Sequence, residues 1–270
     1  MEGSKIFMKD VLRKGNIPTA TYEVFSDPEP AREYLQTCDI PIVLKADGLA
    51  GGKGVIVAFS REEALEALNS LMVDQKLGSA GDNLVIEEFL KGEEASFIVL
   101  CDGENVIPLA SSQDHKQRDD GDKGPNTGGM GAYSPTPLIT KELNEEIMQE
   151  IILPTLDELK RRNIEYKGFL YAGLMIDGQE IKVLEYNCRF GDPETQPILM
   201  RMKSDFFSLC LKAAKQELKG EQIEWDERFA LGVVMASKGY PEKYETGFPI
   251  LGIREAVSYT HLTLPTNIGV

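Results

Sequence analysis

Ile42-Val43-Leu44-Lys45-Ala46-Asp47-Gly48-Leu49-Ala50-Gly51-Gly52-Lys53-Gly54-Val55-Ile56-Val57 sets a glycine-rich segment between two apolar runs of β-strand character. Glycine carries no Cβ, so successive backbone N–H groups can close on a polyphosphate, while Lys45 and Lys53 supply cations at its two ends. The segment suits a nucleotide, with ATP as the expected ligand. Two rival glycine motifs are excluded by position. A Walker A loop needs glycine where Asp47 stands and Ser or Thr where Gly54 stands. A dinucleotide fingerprint would run into a helix, whereas Gly52-Lys53-Gly54 runs into Val55-Ile56-Val57-Ala58. A strand, glycine loop and strand remain, able to fold over a nucleotide as a lid; a flexible surface hairpin is the other reading of the same residues.

The rest of the chain fits an enzyme of ordinary globular composition. Its 270 residues can bury the core of one large domain or two smaller ones, with 42% hydrophobic and 27% charged residues. A formal net charge of −15 argues against nucleic acid as a partner, because phosphate backbones are bound through excess Lys and Arg. An anionic ligand must therefore meet a local cluster of cations or a metal. No stretch approaches the roughly 18 apolar residues of a membrane span, and the N-terminus lacks a signal-peptide pattern, so the cytoplasm is the expected compartment. Cys38, Cys101, Cys188 and Cys210 are scattered without a C-x-x-C pair, which fits buried or incidental thiols better than zinc or disulfides. With only His115 and His261 present, a mechanism using several histidines is ruled out.

Helices and strands alternate along the chain. Helices are expected at Ser4–Lys14, from Asp27-Pro28 to about Gln36, after the Ser60-Arg61-Glu62-Glu63 capping box, at Lys141–Asn163 with a kink at Pro154, and at Ser204–Lys219. Strands are expected at Thr21–Phe25, Pro41–Ala46, Val55–Ala58, Leu84–Glu88, Ala95–Leu100, Val106-Ile107, Phe169–Ile176, Ile181–Tyr186 and Leu231–Ser237. The long polar, glycine-rich stretch Ser111–Gly131 reads as an active-site loop.

Two further constellations carry chemistry. In Val183-Leu184-Glu185-Tyr186-Asn187, residues two apart on a strand face one side, so Glu185 and Asn187 present oxygen donors together. Carboxylate and amide oxygens suit Mg²⁺, completed by phosphates and water; the polar face of a strand is the alternative. In Glu87-Glu88-Phe89-Leu90-Lys91-Gly92-Glu93-Glu94, a segment leaving a strand can offer backbone groups to an adenine edge, with a carboxylate near the ribose; an acidic turn is the alternative.

Taken in order, these segments, with Ser4-Lys5-Ile6-Phe7-Met8-Lys9, Ile17-Pro18-Thr19-Ala20, Ser112-Gln113-Asp114-His115-Lys116, Gly124-Pro125-Asn126-Thr127-Gly128-Gly129-Met130-Gly131-Ala132-Tyr133 and Glu185 to Glu194, resemble the glycinamide ribonucleotide synthetase (phosphoribosylamine–glycine ligase) family of ATP-grasp ligases. The resemblance covers about residues 3–257. It implies an α+β fold in which two α/β subdomains clasp a nucleotide: an ATP-grasp region at 1–257, with a small lid subdomain at 24–86 carrying the glycine loop and a larger subdomain at 87–257 carrying a Mg²⁺ site.

The same resemblance assigns roles. Lys9 and Lys45 lie on the ATP phosphates, and Lys9, Lys45 and Arg189 are the expected catalytic cations. Gly48, Gly51, Gly52, Lys53 and Gly54 form the closing loop; Glu87, Glu88, Phe89 and Leu90 contact adenine; Glu94 takes the ribose; and Glu185 and Asn187 bind Mg²⁺, with Mn²⁺ as a substitute. Where related enzymes have a further acidic ligand this chain has Ala172 and Gly173, so no third ligand is assigned. Asp114, His115, Lys116 and Arg189 are placed on the acceptor side by position alone.

The implied reaction joins glycine to 5-phosphoribosylamine through glycyl phosphate, giving glycinamide ribonucleotide, ADP and phosphate in purine biosynthesis, in an enzyme that is a monomer when full length. Another ATP-grasp ligase and a nucleotide-binding fragment without turnover are the alternatives. Family members carry a further N-terminal domain and a longer C-terminal one, so this chain is expected to bind Mg-ATP with little or no ligation. The tail at 258–270 departs from the family and is read as a cloning, frameshift or assembly scar.

Overall fold

A computed structural model describes residues 1–49, 54–121 and 123–252. The chain resolves into two compact units, Met1–Val234 and Met235–Val270. Among the described residues, the first holds all the regular elements.

Helix α1 (Lys5–Lys14) begins where the Ser4 hydroxyl accepts the Phe7 N–H at 3.1 Å, and its run is closed by Gly15 and by Asn16 at φ 53°. Strand β1 (Tyr22–Phe25) leads to α2 (Pro28–Thr37), capped by Asp27 with proline in its first turn. Strands β2 (Ile42–Ala46) and β3 (Val55–Ala58) flank the glycine segment, and α3 (Arg61–Leu68) starts at Ser60, whose hydroxyl accepts the Glu63 N–H. Then come β4 (Leu84–Glu88), β5 (Glu93–Asp102), β6 (Val106–Pro108), β7 (Gln113–Asp114), β8 (Gln117–Asp119), β9 (Lys123–Asn126) and β10 (Gly131–Ser134). Helices α4 (Lys141–Ile147) and α5 (Leu153–Arg161) precede the long hairpin of β11 (Lys167–Asp177) and β12 (Glu180–Asn187), and α6 (Thr195–Arg201), α7 (Phe206–Lys215) and β13 (Ala230–Val233) complete the unit.

Two four-stranded antiparallel sheets organise these elements. The smaller has the order β1-β4-β2-β3 and buries one face under α2 and α3, with Leu35, Leu44, Leu68, Leu84 and Ile86 in its core. The larger has the order β12-β11-β5-β6 and is covered on both faces. Period-two alternation in β5 decides which residue goes where. Phe97, Val99 and Cys101 pack with Met8, Leu12 and Ile151, whereas Ile98 and Leu100 turn to the opposite face, beside Ile198 and Leu209 respectively. Each such aliphatic side chain, fully buried, contributes about 1.5–3 kcal/mol. A third sheet, β13-β10-β7, and the hairpin β8-β9 are built from the end of the chain's first unit and from Ser111–Gly131.

The α+β expectation matches this architecture. The small sheet runs from 22 to 88, close to the 24–86 span, while the second unit opens at Met235, inside the span expected as one larger subdomain. Four local expectations change. Ser111–Gly131 is not bare loop: β7 pairs with β10 and β8 with β9, because a segment lying across a folded unit must satisfy its backbone N–H and C=O groups. Between α4 and α5 the helix widens into a π-helical turn at Met148–Ile152 just ahead of Pro154, whose ring crowds the carbonyl four residues back and which offers no N–H. The Ser204–Lys219 helix is shortened at Gln216, which turns left-handed at φ 62°, and the last strand ends at Val233. Gly51, Gly52, Lys53 and the 258–270 tail lie outside the described residues.

Candidate functional site

A cleft of about 410 Å³ opens where the small sheet meets β12, within the roughly 300–1,000 Å³ of small-molecule sites. Residues from α1, β2, β4, β12 and the Ser111–Gly131 stretch line it. The two sheets are laced together at its base. Val183 N–H donates to Pro18 O at 2.8 Å, Thr19 Oγ1 donates to Val183 O at 2.7 Å, and Lys45 Nζ donates to Leu184 O at 3.3 Å. The strand carrying Glu185 and Asn187 is thereby held against the strand carrying Lys45.

Alternation on β12 works as the spacing requires: Glu185 and Asn187 both line the cleft. Burial pushes the Glu185 carboxyl upward, but Lys116, then Lys45 and Lys5, together with Asn187, outweigh it and hold the group below its ordinary range. It is anionic at the foot of the cleft, with its side chain 38% open through the cleft mouth. One carboxylate and one amide oxygen on one strand face are hard donors of the kind Mg²⁺ prefers, and they fit an ion whose remaining positions come from phosphate and water. Among the described residues no group of three His, Cys, Asp or Glu side chains is gathered for a metal. Gly173 stands opposite Glu185 in the β11–β12 register, and a Cβ there would lie 3.2 Å from Glu185 Cγ.

The lysines divide in an unexpected way. Lys45 lines the cleft and pairs with Glu87 Oε1 while also donating to Leu184 O. Lys9 does not reach the cleft wall: it is fully buried, and its ammonium donates to Glu87 Oε2 at 2.6 Å, Thr19 Oγ1 at 2.8 Å and Ala20 O at 3.4 Å. Lys9, expected on the phosphates, has its three N–H groups on protein acceptors, because burial removes it from the cleft lining. The cation of α1 that lines the cleft is Lys5, one helical turn earlier. Its Nζ donates to Ala46 O at 2.7 Å, and its helix is anchored by Asp47, which accepts the Ile6 N–H at 2.8 Å and the Ser4 hydroxyl at 3.0 Å. Desolvation draws the Lys5 pKa down against the opposing pull of Glu185. Lys5 and Lys9 share a helix face at i, i+4, and sequence spacing alone offers no means of choosing between them.

The other expected residues are placed as follows. Gly48 and Gly54 line the cleft at the two ends of the glycine segment. A Cβ on Gly48 would come within 2.8 Å of Ala80, so a side chain there would push the segment away from its support. Glu87, Glu88, Phe89, Leu90 and Glu94 all line the cleft. The Glu87 carboxylate is nevertheless committed to Lys9 and Lys45, and that of Glu88 accepts the Thr21 N–H at 2.9 Å. Glu94 pairs with Lys116 at 2.8 Å. Asp114 and Lys116 face the cleft, whereas His115, between them, stacks on Tyr133 with centroids 5.9 Å apart. Burial tends to lower the Lys116 pKa, but Glu94, Tyr171, Asp114 and Glu185 raise it well above its ordinary value. Arg189 lines the rim, donating to Phe190 O and pairing with Glu2. Glu194 was not anticipated: buried on the floor, it accepts the Ser96 hydroxyl at 2.7 Å, and burial, then Asp114, raises its pKa. Its place just after Asp192-Pro193, ahead of α6, was the available signal.

Two sheets that pinch lysines and a carboxylate–amide pair into one cleft define the ATP-grasp class. Residues 3–195 match the phosphoribosylglycinamide synthetase ATP-grasp (A) domain, and the chain belongs to that family. It is 58% identical over 254 residues to the phosphoribosylamine–glycine ligase of Escherichia coli O6:H1, a match covering 94% of this chain and 59% of that protein. The chain thus spans about three fifths of the length of the curated relatives it matches. The crystal structure of phosphoribosylamine–glycine ligase from Thermotoga maritima is similar at 38% identity, with a TM-score of 0.78 over 90% of this chain and 61% of that one. The biotin carboxylase domain of the Hydrogenobacter thermophilus 2-oxoglutarate carboxylase, 20% identical, shares the fold with a TM-score of 0.66 over 85% of this chain and 49% of that one. Among the described residues no helix is long and apolar enough to cross a membrane.

Proposed function

We propose that this chain carries the ATP site of a carboxylate–amine ligase that joins glycine to 5-phosphoribosylamine, giving glycinamide ribonucleotide, ADP and phosphate. The observation that carries the reading is the convergence of Lys5, Lys45, Lys116, Glu185 and Asn187 on one cleft between the two sheets. In that reading Lys45 and Lys5 neutralise the nucleotide phosphates, Gly48 and Gly54 bound the loop that closes over them, and Phe89 and Leu90 lie along the base with Glu94 near the ribose. A divalent ion, Mg²⁺ with Mn²⁺ as a substitute, would be held by Glu185 and Asn187 and would draw charge from the transferring phosphoryl group.

A free carboxylate resists amines because it is anionic and lacks a leaving group. Its oxygen attacks the γ-phosphorus and ADP departs; the amine nitrogen then attacks the acyl carbon, phosphate leaves and one proton is lost. The residues of the cleft need only align the partners and balance charge, which is why no histidine or nucleophilic side chain is required. Acyl phosphates hydrolyse in water, so in this reading the glycine segment would serve as a cover that keeps water from the intermediate. A calorimetric titration of this chain with Mg-ATP tests the nucleotide site: Lys45→Ala should weaken binding markedly, and Glu185→Gln should remove the gain that Mg²⁺ confers. Ligation is tested on a chain of the relatives' full length as ADP release that requires both glycine and phosphoribosylamine. ADP release with a different acid and amine, and none with this pair, would assign the cleft to another ligase of the class.

A further inference from the structure

Three charges meet between α1 and the small sheet: Lys9, Glu87 and Lys45, with side chains 0%, 2% and 10% exposed. The Lys9 ammonium has three hydrogens and three acceptors, Glu87 Oε2, Thr19 Oγ1 and Ala20 O, with the Tyr22 ring 5.2 Å away. Thr19 spends its own hydrogen on Val183 O, so its oxygen is an acceptor toward Lys9. Lys9 is therefore a complete, charged donor set. The other carboxylate oxygen of Glu87 faces Lys45, which lies at the cleft wall.

One negative charge thus stands between two positive ones. If Lys45 were its only partner, the pair would be neutral and the carboxylate would compete with any anion for the Lys45 ammonium. With Lys9 also bound to it, the group carries one surplus positive charge, and Lys45 is the member that meets the cleft.

We propose that Lys9 is a positioning residue that neutralises Glu87 from the buried side, so that Lys45 presents a full positive charge to the phosphates of a nucleotide. The inference rests on the nucleotide site proposed above and adds to it a residue that touches no ligand.

The test uses this chain, with folding checked by circular dichroism and binding by calorimetry with Mg-ATP and, separately, adenosine. Lys9→Met should weaken Mg-ATP about tenfold or more while adenosine binding is unchanged, since only the phosphates read the charge. The double variant Lys9→Met/Glu87→Gln removes one charge of each sign and restores the surplus on Lys45, so its Mg-ATP affinity should return to within about threefold of the parent. A merely structural role for Lys9 predicts no such recovery, because the second substitution would add damage. The double variant also serves where Lys9→Met alone fails to fold. Mg-ATP affinity of Lys9→Met within about twofold of the parent, or a double variant no tighter than the single one, overturns the proposal while leaving the nucleotide site standing, provided Lys45→Ala still weakens binding. Equal binding by Lys45→Ala and the parent, or none by either, overturns the site reading and the proposal together.

Discussion

Two ionic clusters border the cleft, and they obey different rules. Lys9, Glu87 and Lys45 lie in the protein, while Glu94, Lys116 and Glu185 have side chains 43%, 31% and 38% exposed, with Lys116 2.8 Å from Glu94 and 4.0 Å from Glu185. In the first, every charge lost must be answered by another protein charge, because water cannot reach to compensate. In the second, solvent screens the partners and leaves them free to exchange one another for a ligand. The dry cluster sets the charge that Lys45 turns to the cleft; in the wet one the partners themselves can be exchanged for a ligand.

The sharpest way to break this contrast is Glu87→Ala, which leaves two buried ammonium groups facing each other. It should cost about 3–5 kcal/mol, read from the urea midpoint. A cost below about 1 kcal/mol would place the dry cluster among ordinary surface pairs.

Asp102 supplies a second buried carboxylate with a different solution. It accepts N–H groups from Glu104, Asn105 and Leu218 at 2.9, 2.6 and 3.0 Å, and among the described residues no cation pairs with it. Asp102→Ala should cost about 2–4 kcal/mol. Burial pushes this carboxyl up, but those N–H donors outweigh it and leave the pKa below its ordinary 3.8. A folded-state pKa below the unfolded one means that the stabilisation is present above the ordinary Asp range and is lost as pH falls through the folded value. Asp102→Asn should therefore flatten the acid limb of the stability curve, and an unchanged limb would show that these N–H groups do not favour the charged form.

Gly173→Val probes the wet side without touching a charge. Its side chain would crowd Glu185, and the advantage of Mg-ADP over ADP should fall about tenfold, near 1.4 kcal/mol. Equal losses for both ligands would point to sheet distortion instead. The smallest effect belongs to Lys116→Ala, which should change stability by about 0–1 kcal/mol because its partners are hydrated. A larger loss in the urea midpoint would show that the second cluster is dry after all.

Much of this architecture was legible residue by residue. Ser4, Asp27 and Ser60 stand at the helix starts that their hydroxyl and carboxylate oxygens favour, and the alternation in β12 put Glu185 beside Asn187. These are short-range rules, set by hydrogen-bond reach and by the periods of strand and helix. Ser111–Gly131 was less legible, because its strands pair only with distant or irregular partners and carry little apolar pattern of their own.

By itself, then, the sequence determined the order of most helices and strands outside Ser111–Gly131, the family, the glycine segment and the shared strand face of Glu185 and Asn187, all of which depend on neighbours along the chain. Tertiary structure alone decided that Lys5 rather than Lys9 lines the cleft, that Glu87 joins two lysines instead of standing free, and that Gly173 clears space for Glu185. The physical reason is depth. Whether a charged side chain meets water, a ligand or another charge depends on how far the packing of α1 and the two sheets removes it from the surface, and spacing along one helix face carries no record of that distance.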